Sequence, residues 1–119
     1  MKNYSIIIPH KDIPELLQRC LNSIPQREDI EVIIIDDGSK AVPVLTREDA
    51  ELVALSENGG AGHARNIGLQ HAKGNWVLFI DADDFFLPDA FRYLECEKEI
   101  CLFYPKRFYS DNLESAKIL

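Results

Sequence analysis

Four short runs of apolar residues, rich in β-branched and aromatic side chains, constrain the fold of this chain most strongly. They occupy residues 4–8, 31–35, 52–55 and 76–80. Within them the apolar side chains follow one another with little of the polar alternation of a half-buried strand. Continuous apolar runs of this length are typical of strands covered on both faces, as in parallel sheets. The runs therefore predict a buried, mainly parallel sheet.

A helix is predicted between the first two runs, over residues 14–24. Its apolar residues recur at helical spacing and are Leu16, Leu17, Cys20, Leu21 and Ile24. Asp12 is a plausible N-cap, Pro14 occupies an early helical position, and Pro25 ends the helix.

A second helix is predicted over residues 61–73, between the third and fourth runs. Ala64, Ile67 and Gly68 share one face, and Gly74 is a ready C′ residue. Gly68 lacks a side chain and would allow this helix to approach the sheet closely. A further helix opening at Pro88 and a strand over residues 100–104 are also expected, whereas residues 41–51 leave helix and loop equally open.

Strands that alternate with helices at this spacing imply right-handed crossovers. We therefore expect one domain over residues 1–119 with a Rossmann-like, three-layer α/β/α architecture. Ligands of such sheets bind at the carboxyl ends of the strands.

The charge balance narrows the class of partner. Thirteen lysines and arginines stand against twenty aspartates and glutamates, a formal net charge of −7 at pH 7. Such a chain repels nucleic acid and anionic membrane surfaces. No segment reaches the roughly 18 apolar residues of a membrane span, and the three cysteines form no metal or redox motif. These features favour free thiols and a cytoplasmic location.

Polar residues follow each predicted strand and should meet at one edge of the sheet. They are His10–Asp12, Asp36–Ser39, the glycine-rich residues 58–62 with Arg65 behind them, and Asp81–Asp84. Carboxylates that converge there repel one another unless a cation or a ligand rich in hydrogen-bond donors joins them. The Asp-x-Asp pair Asp81 and Asp83 offers the oxygen ligands that Mg²⁺ or Mn²⁺ prefers. Asp12, Asp84 and Asp89 fit helix caps or turns equally well.

The glycine-rich loop lacks the GxGxxG and P-loop patterns. Dinucleotide binding and P-loop hydrolysis are therefore disfavoured, although a helix N-terminus beside Arg65 still favours a phosphate. Ser39 lies outside any nucleophile elbow, and His10, His63 and His71 have no motif partner.

Several motifs, taken in order, resemble the blocks of family 2 glycosyltransferases over about residues 4–94. They are Ile-Ile-Ile-Pro at 6–9, Cys-Leu-Asn-Ser-Ile at 20–24, Asp-Asp-Gly-Ser at 36–39, Asn-Gly-Gly at 58–60, Ala-Arg-Asn-Ile-Gly-Leu at 64–69 and Phe-Ile-Asp-Ala-Asp-Asp at 79–84. The resemblance implies a GT-A fold and transfer of a sugar from a nucleotide-diphosphate donor, with a UDP-sugar favoured. It implies a carbohydrate or lipid-linked acceptor, as in polysaccharide or glycolipid synthesis.

The resemblance also implies the residues of the site. For nucleotide-sugar binding they are Pro9, Lys11, Asp12, Asp37, Gly62, Arg65, Asp81 and Asp83. Asp37 would contact the base, and Asp83 with Asp81 would hold a Mn²⁺ or Mg²⁺ cofactor. Lys11 replaces an aromatic residue common in the family, so it would meet phosphate rather than stack on the base.

The length of the chain corresponds to the nucleotide-sugar-binding half of such an enzyme. The acceptor-binding half and the catalytic base of an inverting displacement are expected beyond residue 119. The alternative is a catalytically inactive nucleotide-binding or assembly module. A homodimer and a peripheral position at the inner membrane face are further expectations.

Overall fold

The protein, seen in a computed structural model that describes residues 2–88 and 90–93, contains a four-stranded, fully parallel sheet. Its strands are β1 (Tyr4–His10), β2 (Ile30–Asp36), β3 (Ala50–Ala54) and β4 (Trp76–Phe79). They lie in the order β3-β2-β1-β4. The predicted α/β class and the mainly parallel sheet are thereby confirmed.

Two α-helices cover this sheet, α1 (Pro14–Asn22) between β1 and β2 and α2 (Ala61–His71) between β3 and β4. The chain builds outward from β1 to β3 and then returns to place β4 on the other side of β1. Right-handed crossovers in opposite directions put α1 and α2 on opposite faces of the sheet. The chain divides after Pro88 into two compact units, and the described part of the second is a 3₁₀ turn at Ala90–Tyr93.

The core lies around β1 and β2, in which every residue is buried. On the α2 face, Ile7, Ile33 and Ile35 pack with Ala64 of α2. The alternating residues Ile6, Ile8, Val32 and Ile34 point to the α1 face, where the buried residues of the helix are Leu17, Cys20 and Leu21. The unbroken apolar runs of the sequence reflect this coverage on both sides.

Two glycines on the α2 side permit close approaches, one predicted and one not. A Cβ at Gly68 would overlap the Cγ2 methyl group of Ile7, which confirms the predicted contact between α2 and the sheet. Gly74 is not the C′ residue of α2, because the helix already ends at His71 and Ala72 is extended. Gly74 instead lies against β1, where its N–H donates to Ser5 Oγ at 2.8 Å.

The predicted cap of α1 was wrong. Ile13, not Asp12, is the N-cap residue, and Pro14 is the first residue of the helix. Asp12 has a φ of 56° and turns its carboxylate away, so that Oδ1 accepts a hydrogen bond from Lys40 N–H at 2.8 Å.

Residues 41–49 form a loop, which decides the alternative left open by the sequence. Arg47 anchors this loop to the end of α1, donating from Nη1 to the carbonyl oxygens of Leu21 at 2.7 Å and Ile24 at 2.8 Å. The same guanidinium binds the carboxylate of Asp49 immediately before β3. One arginine thus holds this loop against both the end of α1 and the start of β3.

The remaining expectations concern the end of the chain. The segment after Pro88 forms a 3₁₀ turn where an α-helix was expected. The rest of that helix, the strand expected at residues 100–104, Cys96 and Cys101 all lie outside the described residues. Within residues 2–88 and 90–93, no helix has the length and apolar character needed to cross a bilayer.

Candidate functional site

An open cleft of about 290 Å³ lies at the carboxyl ends of the strands, beside β1. This is where the strand order reverses, the usual position of ligands in open parallel sheets. The cleft is lined by Pro9, His10, Lys11, Ile13, Asp37, Ala61, Arg65, Asp81, Ala82 and Asp83. Of the site residues predicted from the sequence, Asp12 and Gly62 are missing from this lining.

The two consecutive aspartates at the end of β2 form hydrogen bonds near the starts of different helices. Successive side chains of a strand point to opposite faces, so Asp36 lies on the α1 side and Asp37 on the α2 side. Asp37 accepts hydrogen bonds from Gly59 N–H at 2.8 Å and Gly60 N–H at 2.9 Å, and Gly60 is the N-cap residue of α2. A buried carboxylate thus holds the glycine-rich loop against the sheet and still faces the cleft.

Asp36 belongs to a second polar cluster, on the α1 side. Its Oδ1 lies 2.8 Å from His10 Nδ1 and also accepts from Ser39 Oγ at 2.6 Å. His10 Nε2 accepts a hydrogen bond from Ile13 N–H, the N-cap residue of α1. Sequence reasoning found no partner for His10, because its partner is 26 residues away and is defined by the β1–β2 register.

Arg65 of α2 forms an ion pair with Asp81 after β4. Arg65 Nη2 lies 2.8 Å from Asp81 Oδ1, and both side chains are partly exposed, at 38% and 52%. The pair places a cationic side chain and a carboxylate side by side in the cleft. Because both side chains are partly exposed, the guanidinium can still bind a phosphate group and the carboxylate can still bind a cation.

The carboxylates of Asp81, Asp83 and Asp84 offer oxygens that lie within 4.8 Å of one another, and all three residues are exposed. The turn that gathers them is closed by a hydrogen bond from Asp84 N–H to the Asp81 carbonyl oxygen at 3.0 Å. Several oxygen ligands on one exposed turn suit a hard divalent cation that keeps open positions for water or phosphate. The residues present therefore fit the predicted metal.

Helix α1 supports this acidic turn through Arg19, which the sequence analysis did not single out. Arg19 Nη2 donates to the main-chain oxygen of Asp83 at 2.8 Å, and its guanidinium lies 4.8 Å from the centre of the Phe85 ring. Ser23 Oγ adds a second link by accepting from Phe86 N–H at 2.9 Å. The only signal in the sequence was a basic residue in the last turn of α1.

The buried thiol near this turn is not a nucleophile. Burial, together with the negative charge of Asp84, raises the pKa of Cys20 to about 12. The thiolate is the reactive form of cysteine, and it is scarce at neutral pH when the pKa is this high. Cys20 is accordingly a packing residue of α1.

Two predicted site residues are placed differently from the rest. Asp12 is exposed and bonded to the backbone of Lys40. Gly62 is exposed in the first turn of α2, and a Cβ there would meet no atom within 4 Å. Lys11, by contrast, is exposed and lines the cleft on the same edge as Asp37.

Comparison with known proteins agrees with this architecture. Residues 5–95 match the family model "Glycosyl transferase family 2". A Haemophilus influenzae protein named "Uncharacterized glycosyltransferase" is 35% identical over 99 residues, which are 79% of this chain and 32% of that protein. The "Poly(ribitol-phosphate) beta-glucosyltransferase" of Bacillus spizizenii is 32% identical over 108 residues. The match covers 80% of this chain and 17% of that protein.

A solved structure shows the same fold. The crystal structure of Staphylococcus aureus TarS 1-349 superposes with a TM-score of 0.66 and 27% sequence identity, covering 76% of this chain and 30% of that one. The parallel sheet with its flanking helices is thus the corresponding part of a GT-A fold. The chain spans about a third or less of the length of these relatives. On the family match and on the similarity to these relatives, the chain belongs to glycosyltransferase family 2.

Proposed function

We propose that this chain is the donor-binding part of a metal-dependent glycosyltransferase that transfers a sugar from a nucleotide-diphosphate sugar, with a UDP-sugar favoured. The observation that carries the proposal is the cleft beside β1, which joins the Arg65–Asp81 pair to the acidic turn Asp81–Asp84. A cationic side chain and a carboxylate cluster at one point suit a diphosphate and its divalent cation together.

The nucleotide would lie along the edge from Asp37 to Arg65. Each carboxylate oxygen of Asp37 accepts one backbone hydrogen bond and keeps a lone pair for a donor on the base. Lys11 and Arg65 offer positive charge to the diphosphate, and Arg65 can bind it bidentately. Pro9 contributes an apolar wall at the end of β1. We assign Asp12 and Gly62 to the rim of this site.

Asp83 and Asp81 would hold Mn²⁺ or Mg²⁺, with Asp84 as a neighbour that adds charge. When bound, the cation supplies Lewis-acid stabilisation of the negative charge that develops on the leaving diphosphate. The protein holds the carboxylates in one turn through the Asp84–Asp81 backbone hydrogen bond and through Arg19. In a chain of net charge −7, the cation would also reduce repulsion between the protein and its anionic donor.

We propose that the acceptor is a polymer or lipid-linked carbohydrate of the cell surface. The names of two relatives support this class, the poly(ribitol-phosphate) glucosyltransferase above and a "Teichoic acid poly(glycerol phosphate) polymerase" of Staphylococcus epidermidis. An inverting displacement needs a general base at the acceptor hydroxyl. We place that base and the acceptor-binding half outside residues 1–119. The cytoplasmic location and the homodimer remain predictions.

Calorimetric titrations of the chain with UDP and with GDP, in the presence and absence of MnCl₂, test the proposal. Asp83→Asn should weaken Mn²⁺-dependent UDP binding by about tenfold or more, equivalent to about 1.4 kcal/mol. Asp29→Asn is the matched control, because Asp29 is bound to Arg27 before β2, at the opposite edge of the sheet. The proposal fails if UDP and GDP give no heat with Mn²⁺, and the metal assignment fails if Asp83→Asn binds UDP as tightly as the unmodified chain.

A further inference from the structure

His10 is a buried histidine within the wall of the cleft, with only 3% of its surface exposed. It ends β1 directly opposite Asp36, the last residue of β2. Ile13 N–H donates to Nε2 at 3.1 Å, so that nitrogen must carry a lone pair. The hydrogen on Nδ1 then points at Asp36 Oδ1, 2.8 Å away. The partners thus assign a neutral imidazole protonated at Nδ1.

Asp36 extends this contact into the next loop. Besides His10, its carboxylate accepts from Ser39 Oγ at 2.6 Å and from Ser39 N–H at 3.1 Å. Ser39 Oγ in turn accepts from Asp12 N–H at 2.8 Å, and Lys40 N–H donates back to Asp12 Oδ1 at 2.8 Å. The loop after β1 and the loop after β2 are therefore joined by hydrogen bonds centred on one carboxylate.

The residues held by this network flank those assigned to the nucleotide. Lys11 lies between His10 and Asp12 in the chain, and both of these neighbours belong to the network. Asp37 follows Asp36, and its N–H donates to the His10 carbonyl oxygen at 2.8 Å. Movement of either loop would displace Lys11 relative to Asp37 in the cleft.

Stability alone does not explain a polar pair at this position. Buried charged or polar pairs are often no more stabilising than apolar residues of similar volume, and their best-attested use is to specify one geometry. A fully satisfied network of this kind rigidifies the groups it joins. The residues that precede the pair on the same face of β1 and β2, Ile8 and Ile34, are apolar and fully buried, so the change to polar side chains occurs where the strands reach the cleft.

We propose that His10 is a positioning residue of the nucleotide cleft: it couples Asp36 to the N-cap of α1 and so holds Lys11 and Asp37 at a fixed separation. The proposal rests on the proposed function for the identity of the ligand. His10 itself makes no bond to the nucleotide in this scheme. Its effect is transmitted through the backbone of the two loops.

Three substitutions separate the parts of this role. His10→Asn keeps an N–H donor near the Nδ1 position and can still bind Asp36, whereas His10→Gln places its amide near Nε2 and can accept from Ile13 N–H. His10→Leu keeps volume and removes both hydrogen bonds. His71→Leu is the matched control. His71 Nδ1 lies 3.0 Å from Glu51 Oε1 in a partly exposed pair, and neither residue lines the cleft.

The first measurement is hydrogen exchange at the amides of Ile13, Ser39 and Lys40 in the free protein. Exchange there should accelerate by about tenfold in His10→Leu, less in His10→Asn, and remain unchanged in His71→Leu. The second is titration with UDP and MnCl₂, for which the dissociation constant should rise about tenfold in His10→Leu and partly recover in His10→Asn. Thermal unfolding identifies any variant that fails to fold. If His10→Leu does not fold, hydrogen exchange and UDP affinity are compared between the unmodified chain and the variants His10→Asn and His10→Gln.

Unchanged exchange at Ser39 and Lys40 in folded His10 variants would overturn the positioning role. Equal UDP affinity in the unmodified chain and in His10→Leu would overturn it as well. Absence of UDP binding by the unmodified chain would count against the proposed function instead, while the exchange data would still decide whether His10 holds the loops.

Discussion

Arg19 of α1 donates from Nη2 to the main-chain oxygen of Asp83 at a distance of 2.8 Å. The guanidinium also lies over the ring of Phe85, two residues further along the same turn. A helix on one face of the sheet therefore supports the acidic turn that follows β4. The metal ligands proposed here depend on α1 although no residue of α1 supplies a carboxylate to them.

The first prediction follows from this contact. Arg19→Lys keeps the positive charge but loses the planar guanidinium that both bonds Asp83 and stacks on Phe85. We expect Mn²⁺ affinity, measured by calorimetry without nucleotide, to fall several-fold because the turn is less well held. Arg27→Lys is the control, since Arg27 pairs with Asp29 before β2. Equal Mn²⁺ affinity in Arg19→Lys and the unmodified chain would show that the turn holds its shape without Arg19.

The second prediction concerns the Arg65–Asp81 ion pair. In Arg65→Gln, Asp81 loses a competing cation, so Mn²⁺ alone should bind more tightly. The gain should be at most about fivefold, because exposed ion pairs contribute about 0–1 kcal/mol. Binding of UDP with Mn²⁺ should weaken in the same variant, since a phosphate donor is lost. Changes of the same sign in the two titrations would contradict a shared role for Arg65.

The third prediction concerns the packing of α2 on the sheet. Gly68→Ala should lower the free energy of unfolding by about 1–3 kcal/mol, because the new methyl group would overlap Ile7 Cγ2 in a closely packed core. Gly62→Ala in the same helix meets no neighbour within 4 Å and should leave stability unchanged or raise it by up to about 1 kcal/mol. Urea denaturation measures both. Similar values for the two variants would mean that the helix shifts to accommodate the methyl group.

The fourth prediction is a pH dependence that originates at Asp49. The hydrogen bond from Arg47 holds the pKa of the Asp49 carboxyl below its ordinary value of 3.8, although partial burial opposes this shift. A carboxyl whose pKa is lower in the folded than in the unfolded state stabilises the fold above the unfolded pKa. That contribution is lost as the pH falls through the folded pKa.

Asp49→Asn should accordingly destabilise the protein by about 1–2 kcal/mol at pH 7, and the difference from the unmodified chain should shrink once the pH falls below about 4. Urea denaturation at a series of pH values measures this difference. Asp29→Asn should show a smaller effect, because the Arg27–Asp29 pair is more exposed than the Arg47–Asp49 pair. A difference for Asp49→Asn that is constant from pH 7 to pH 3 would exclude the ion pair as its cause.

The sheet and its helices were predictable because their signals are local. Continuous apolar runs predict strands, and they correspond to β1–β4 with shifts of one or two residues at the ends. The predicted burial on both faces is confirmed for β1 and β2 but was wrong for β3 and β4, whose residues are half-buried or exposed. The period of two in a strand also implies that Asp36 and Asp37 point to opposite faces. The convergence of polar residues at one edge follows from parallel strand direction alone.

The partners of these polar residues were decided by the tertiary structure. The sequence predicts Asp12 as a helix cap, yet its positive φ directs the carboxylate to the N–H of Lys40. His10 had no partner in any sequence motif, because its partner is supplied by the register of β1 against β2. Such contacts depend on how loops of different lengths return to the sheet, which local patterns do not encode.

The sequence by itself thus determined the α/β class, the parallel sheet, the family and the edge at which the site lies. The tertiary structure alone decided that Asp37 holds the glycine-rich loop, that Arg65 neutralises Asp81 and that Arg19 supports Asp83. The physical reason is the distance along the chain over which each interaction acts. Burial and turn propensity act over a few neighbouring residues, whereas these bonds join residues 16 to 64 positions apart and form only when the strands have aligned.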